Sequence, residues 1–143
     1  MNVLVYISKD VSDADKQYLT TLFSLIQNQL NITIANEAPS WKDSFSLVHL
    51  VGCWDAKTLY IYNWAVRTHT AVVLSPLGDL NPWHINNLPT AKRLLLNIPI
   101  KRMLKQVGVV HVCGQLEYDT LKAFNVNTNI VRIDNPRITS GIE

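Results

Sequence analysis

The sequence predicts an α/β fold: a single doubly wound, Rossmann-like domain on a mostly parallel six-stranded sheet, in the order 2-1-3-4-5-6. Two observations carry this expectation. Short apolar, β-branched runs alternate along the chain with stretches whose apolar residues recur at helical spacing. Nearly every strand-like run is also unbroken rather than alternating, as in parallel strands with helices on both faces. Residues 1–136 read as one domain and 137–143 as a tail.

Each element has its own warrant. NVLVYI at 2–7 is a buried first strand. Ser12 or Asp13 can cap a helix over 14–29, with Tyr18, Leu19, Leu22, Phe23 and Ile26 on its inner face. Residues 32–35 form a short second strand, 37–43 a loop containing Pro39, and 45–51 a third strand ending at Gly52. The link between those two strands holds about ten residues, near the lower limit for a crossover. Asp55 caps a helix reaching Arg67, and 71–74 is the fourth strand. Residues 83–106 read as helix in two pieces, broken by Pro99. A fifth strand at 109–112, a helix at 116–124 and a sixth strand at 129–133 follow.

Composition bounds the function. A chain of 143 residues with 48% hydrophobic residues supports a real core. A net charge of +2 gives no ground for a nucleic-acid partner. No apolar run approaches the ~20 residues that span a bilayer. Met1 leads straight into a strand-like run with no basic n-region, so no signal peptide is expected. Cys53 and Cys113 form no CxxC pair, which suits a reduced, cytoplasmic protein.

The organising stretch is AVVLSPLGDLNPW at 71–83. A buried strand runs into a Ser-Pro-x-Gly turn, and Asn81-Pro82-Trp83 then starts a helix, with Asn81 as cap and Trp83 packing beneath. Ligands of open α/β sheets bind at the carboxyl ends of such strands. Four places should share that rim: HLVGCWD at 49–55, SPLG at 75–78, CGQLE at 113–117 and DNP at 134–136. The loop after strand one, residues 8–13, has no glycine. Neither GxGxxG nor a Walker-type GxxxxGK[ST] occurs, so a dinucleotide or P-loop enzyme is not expected. No GxSxG and no metal-ligand spacing occurs either, and no cofactor or metal is expected.

The run VLSPLGDLNPW, then a basic amphipathic stretch, then VVHVCGQLE, then NIVRIDNP, resembles the N-terminal half of retaining glycosyltransferases of the GT-B fold, family 4. Members of that family read S-P-H-G-x-L-x-P-W, T-S-x-x-E and I-P-N-G at these places, and HLVGCW resembles their H-x-H-G-x-W. The resemblance covers most of the chain from His49 to Pro136. It implies an acceptor-side domain in polysaccharide or glycolipid assembly. The family's second domain binds the nucleotide-sugar and carries E-x7-E, which is absent from these 143 residues. Hexosyl transfer is therefore expected only together with a donor-binding domain. His49, Gly78, Pro82, Trp83 and Glu117 match the family; its turn histidine is Leu77, its second strand-three histidine is Val51, and its Asn-Gly is Asn135-Pro136.

The resemblance makes His49, Gly52, Ser75, Gly78, Trp83 and Glu117 the substrate-binding candidates and leaves no catalytic residue assigned. Each also has a plain structural reading. His49 can be a satisfied core or rim histidine. Ser75 and Gly78 can be ordinary turn residues. Glu117 can support the first turn of its helix. His84 reads as a helix-surface histidine. Lys92, Arg93, Lys101, Arg102 and Lys105, interleaved with leucines and isoleucines, suit peripheral contact with the inner face of a membrane, or a helix pair that snorkels its lysines. The partners expected are a saccharide or lipid-linked acceptor and a donor-domain chain or second copy. The alternative is a non-catalytic interaction or regulatory module derived from a glycosyltransferase half.

Overall fold

A computed structural model describes residues 1–126 and 128–134. The expected tail and Asn135-Pro136 lie outside them. Six parallel strands form one open sheet in the order β2-β1-β3-β4-β5-β6. The strands are β1 (Asn2–Ile7), β2 (Asn31–Ala35), β3 (Leu47–Val51), β4 (Ala71–Ser75), β5 (Val109–Val112) and β6 (Asn129–Arg132). The helices are α1 (Asp13–Ile26), α2 (Ala56–Arg67), α3 (Pro82–Asn86), α4 (Thr90–Leu95), α5 (Lys101–Gln106) and α6 (Gln115–Ala123). The predicted class and strand order are those observed.

Handedness places the layers. Parallel crossovers are right-handed, so connections that step the same way along a sheet lie on one face. The steps β3→β4→β5→β6 all run one way. Their helices share a face, where Ile61, Trp64, Met103, Leu104 and Leu121 bury against Leu4, Val48, Leu50, Leu74 and Val110. The step β1→β2 runs the other way, and α1 packs Leu19 and Phe23 on the opposite face against Val3, Val5, Ile32 and Val51. Both faces carry helices, but unequally. Among the described residues α1 is the only helix on its face. Beyond it the strand residues Val73, Val109 and His111 are half-buried and Val131 is exposed.

Local chemistry sets the boundaries. The Ser12 side chain caps α1 by accepting from Asp15 N at 3.2 Å, and Asp55 caps α2 by accepting from Lys57 N at 3.0 Å. Residues 36–46 connect β2 to β3 with no helix or strand. Three expectations are corrected. Leu22, expected on the inner face of the first helix, is exposed instead. Pro99 does not break the long helical segment: it lies inside a π-helical turn, Leu96–Ile100, that leads directly into α5. The wider π turn tolerates a residue without an N–H. The interruption falls at residues 87–89, where Asn87 ends α3 and Pro89 precedes α4. Trp83 does not pack beneath the turn, for its side chain is 63% exposed and Leu80 fills the core there instead.

Among the described residues, one buried side-chain hydroxyl has no hydrogen-bond partner. The Thr58 hydroxyl, in α2, is fully buried and makes no hydrogen bond. Burying such a hydroxyl costs about 1–3 kcal/mol by mutational measures. The near-isosteric Thr58→Val should therefore leave stability unchanged or raise it by about 1 kcal/mol, as read by urea unfolding. A loss above that would mean the hydroxyl has a role.

Candidate functional site

The carboxyl ends of β3, β4 and β5 form the rim where the candidates gather. Gly52, Ser75, Gly78 and Glu117 come together there, with His49 just below, inside β3. Trp83 stands on the outer side of α3. The parallel register aligns Val51 with Ser75, and Gly52 N donates to Ser75 O at 2.8 Å. Gly52 has φ +81°, so the chain can leave β3 toward the buried Ser8 of the loop after β1. Leu77 and Gly78 have φ values of +57° and +87°. Leucine in that region carries strain. It persists here because the Leu77 side chain packs on the α1-side core.

The polar atoms of this rim bind one another. Glu117 is 1% exposed, and its Oε1 accepts from Gly78 N at 2.6 Å. Its Oε2 accepts from Cys113 N at 3.4 Å, and the Leu80 amide is a further donor. The carboxylate thus ties the SPLG turn to the start of α6, in addition to any effect on the helix dipole. Asp79 Oδ2 accepts from Cys53 N at 2.9 Å, and Asp79 O accepts from the Trp54 indole at 3.1 Å. Burial raises the pKa of both carboxyls, and it outweighs the amides that donate to them. Asp55 accepts from the Tyr6 hydroxyl and from Lys9 N. Burial opposes the charge on Asp55, but the Tyr6 hydroxyl and the Lys57 and Lys9 amides hold its carboxyl below the usual range.

A second chain of bonds crosses three strands on the α1 side. His49 Nε2 meets Ser75 Oγ at 2.8 Å, and Ser75 Oγ meets His111 Nδ1 at 2.9 Å. His111 Nε2 lies 3.2 Å from Ile133 O. A carbonyl only accepts, so His111 Nε2 carries hydrogen. In the uncharged His111 ring Nδ1 then accepts from the Ser75 hydroxyl, which in turn accepts from His49 Nε2–H. Burial, with a smaller contribution from His111, pushes the His49 pKa down to about 4. The uncharged ring also makes an edge contact with Phe23 at 5.7 Å between centroids.

The sign of the resulting pH dependence is fixed. A folded-state pKa near 4 lies below the ordinary value of 6.5. Between those values the unfolded chain binds a proton that the folded chain does not. The stabilisation is present above pH 6.5 and falls away toward pH 4, by about 2 kcal/mol at pH 5. Urea unfolding at pH 7 and pH 5 should show this loss in the native chain and a smaller one in His49→Gln. An equal pH slope in both would remove His49 as its source.

Other candidates separate. His84 stacks on Trp54, with centroids 6.5 Å apart and planes at 14°, so it is packed rather than free on the helix surface. The five basic residues have different partners. Lys92 pairs with Asp10 at 3.0 Å, and Arg93 donates to Asn86 O at 2.6 Å. Lys101, Arg102 and Lys105 line one shallow groove with Asn97, Ile98 and Gln106. Lys101 also lies 4.5 Å from the Phe124 ring centroid. Burial raises the Cys53 thiol pKa and pushes that of Cys113 up to about 11, so both stay protonated at neutral pH. Sequence reasoning did not single out His111, Asp79 or Asp55 as site residues, and only their place at strand ends and turns hints at their roles.

The fold and rim define a Rossmann-like α/β domain whose strand-end turns are stitched together by buried carboxylates. No protein-family model matches the chain, and no curated protein matches it. Among the described residues, no helix is long and apolar enough to cross a membrane.

Proposed function

We propose that this chain supplies the acceptor side of a retaining GT-B, family 4-type glycosyltransferase in polysaccharide or glycolipid assembly, and that transfer requires a donor-binding domain. The observation that carries the reading is the SPLGDLNPW turn clamped to the CGQLE turn. Glu117, a family-matching residue, holds Gly78 of the other motif across the rim at 2.6 Å. The exposed Trp83 face beside that clamp offers a platform for a sugar ring. His49, Ser75, Gly78 and Glu117 then shape the rim rather than touch the acceptor, because their polar atoms bind protein. These 143 residues turn over no nucleotide-sugar alone: the loop after β1 lacks glycine and E-x7-E is absent.

Neutral oligosaccharides titrated into the chain should quench tryptophan fluorescence, and Trp83→Ala should weaken that binding about tenfold or more. Saccharide binding unaffected by Trp83→Ala would move the acceptor elsewhere. Leu77→His, which restores the family residue, should change stability by no more than about 1 kcal/mol. Histidine tolerates this backbone region better than leucine but packs less apolar surface.

Peripheral membrane contact is part of the reading. Lys101, Arg102 and Lys105 adjoin Ile98, and Leu94 and Ile98 are exposed. A second reading, the non-catalytic interaction module, is favoured by the α1-side sheet face, where Val131 and Ile133 are exposed. It predicts a defined dimer or hetero-complex by light scattering. A strict monomer at high concentration would count against it.

A further inference from the structure

A second concavity opens over the carboxyl ends of β1 and β2, beside the β3–β5 rim. Its volume is about 320 Å³ and its lining includes Tyr6, Lys9, Lys16, Thr20, Asn36 and Lys57. Sites for small molecules begin at about 300 Å³. The three lysines come from three elements: the loop after β1, the first turn of α1 and the first turn of α2.

The charge of this groove is only partly compensated. Among the described residues, no acidic residue lines it. Lys16 Nζ is held by Lys9 O at 2.9 Å, and Lys57 Nζ by Asn36 O at 3.0 Å, both neutral carbonyls. The carboxylates nearest these ammonium groups are Asp13 at 3.8 Å and Glu37 at 3.4 Å, and both side chains are almost fully exposed. Such pairs contribute little and exchange readily. Asp55, the acid beside Lys9, accepts from the Tyr6 hydroxyl and two backbone amides and also attracts the Lys9 charge.

We propose that this groove binds a phosphomonoester of a small hydroxylated molecule, a sugar phosphate. A phosphate dianion matches ammonium groups converging from three elements. The Thr20 hydroxyl and the Asn36 amide provide donors and acceptors for sugar hydroxyls. This site stands on its own geometry and does not need the glycosyltransferase reading.

Calorimetric titration of the full chain with glucose 6-phosphate, glucose and inorganic phosphate tests it. Glucose 6-phosphate should bind saturably, inorganic phosphate more weakly, and glucose not at all. Lys9→Gln combined with Lys57→Gln should weaken glucose 6-phosphate at least about tenfold, whereas Lys57→Arg and the distant Lys105→Gln should keep binding within about threefold. The lysines are surface groups; should the double variant not fold, Lys16→Gln alone gives the same reading. Phosphatidic acid vesicles form a separate arm. Binding there that depends on Lys9 and Lys57, without glucose 6-phosphate binding, assigns the same phosphomonoester to a lipid headgroup. No saturable binding of any phosphate probe, or binding that ignores these lysines, would overturn the proposal.

Discussion

Glu117→Ala should lower stability by about 4 kcal/mol and free the turn at 75–80. Its carboxylate receives the Gly78 and Cys113 amides, at 2.6 and 3.4 Å, and the Leu80 amide as well. Removing it leaves these donors without an acceptor in a place that is 1% exposed. Each buried orphan costs about 1–3 kcal/mol, and the emptied volume adds to that. Glu117→Gln keeps one carbonyl oxygen for Gly78 but turns an NH2 toward the remaining amides, so about half the loss should return. Urea unfolding gives the totals, and hydrogen exchange at the Gly78 amide should speed up more than exchange in β1. A loss below about 1 kcal/mol for the alanine variant would mean that the rim is not held by this carboxylate.

Gly52→Ala should cost about 3 kcal/mol. With φ at +81°, any L side chain is strained there, by about 1 kcal/mol. The added methyl would also sit 2.8 Å from Ser8 Cβ and 3.1 Å from Val11 Cγ2. Ser8 is fully buried and its amide donates to Val51 O at 2.8 Å, so it cannot retreat without breaking the junction of β1 and β3. Overpacking of this kind costs about 1–3 kcal/mol. The paired change Ser8→Gly with Gly52→Ala removes the closest contact but not the strain. The double variant should therefore be less damaged than the sum of the two single changes. Strict additivity, measured by thermal or urea unfolding, would show that the clash is not the cause.

How far the sequence could be read follows from range. The strands were legible because parallel, buried strands are continuous apolar runs, and the caps Ser12 and Asp55 because capping is local. The rim was legible at one remove: once the strands are parallel, residues 49–55, 75–78 and 113–117 must share an edge. Proline placement failed for a local reason of a different kind. Pro89 and Pro99 look alike in sequence, and only the π turn around Pro99 makes it tolerable. What side chains do at the rim was hidden because their partners are distant. Glu117 and Gly78 are 39 positions apart, and Ser75 and His111 are 36 apart. No spacing rule joins them. Lys9, Lys16 and Lys57 likewise show no cluster until the fold brings them to one groove. Trp83 was misplaced because an aromatic residue after Asn-Pro fits an inward or an outward face equally well, and Leu80 already fills the inward one.

The proposed function gives these residues an acceptor side and no donor site. Isothermal titration of the purified chain against a panel of nucleotide-sugars and free nucleotides, alongside a neutral oligosaccharide, tests it most directly. The oligosaccharide should give saturable heat, and no nucleotide or nucleotide-sugar should give any. Binding or turnover of a nucleotide-sugar by this chain alone would contradict it.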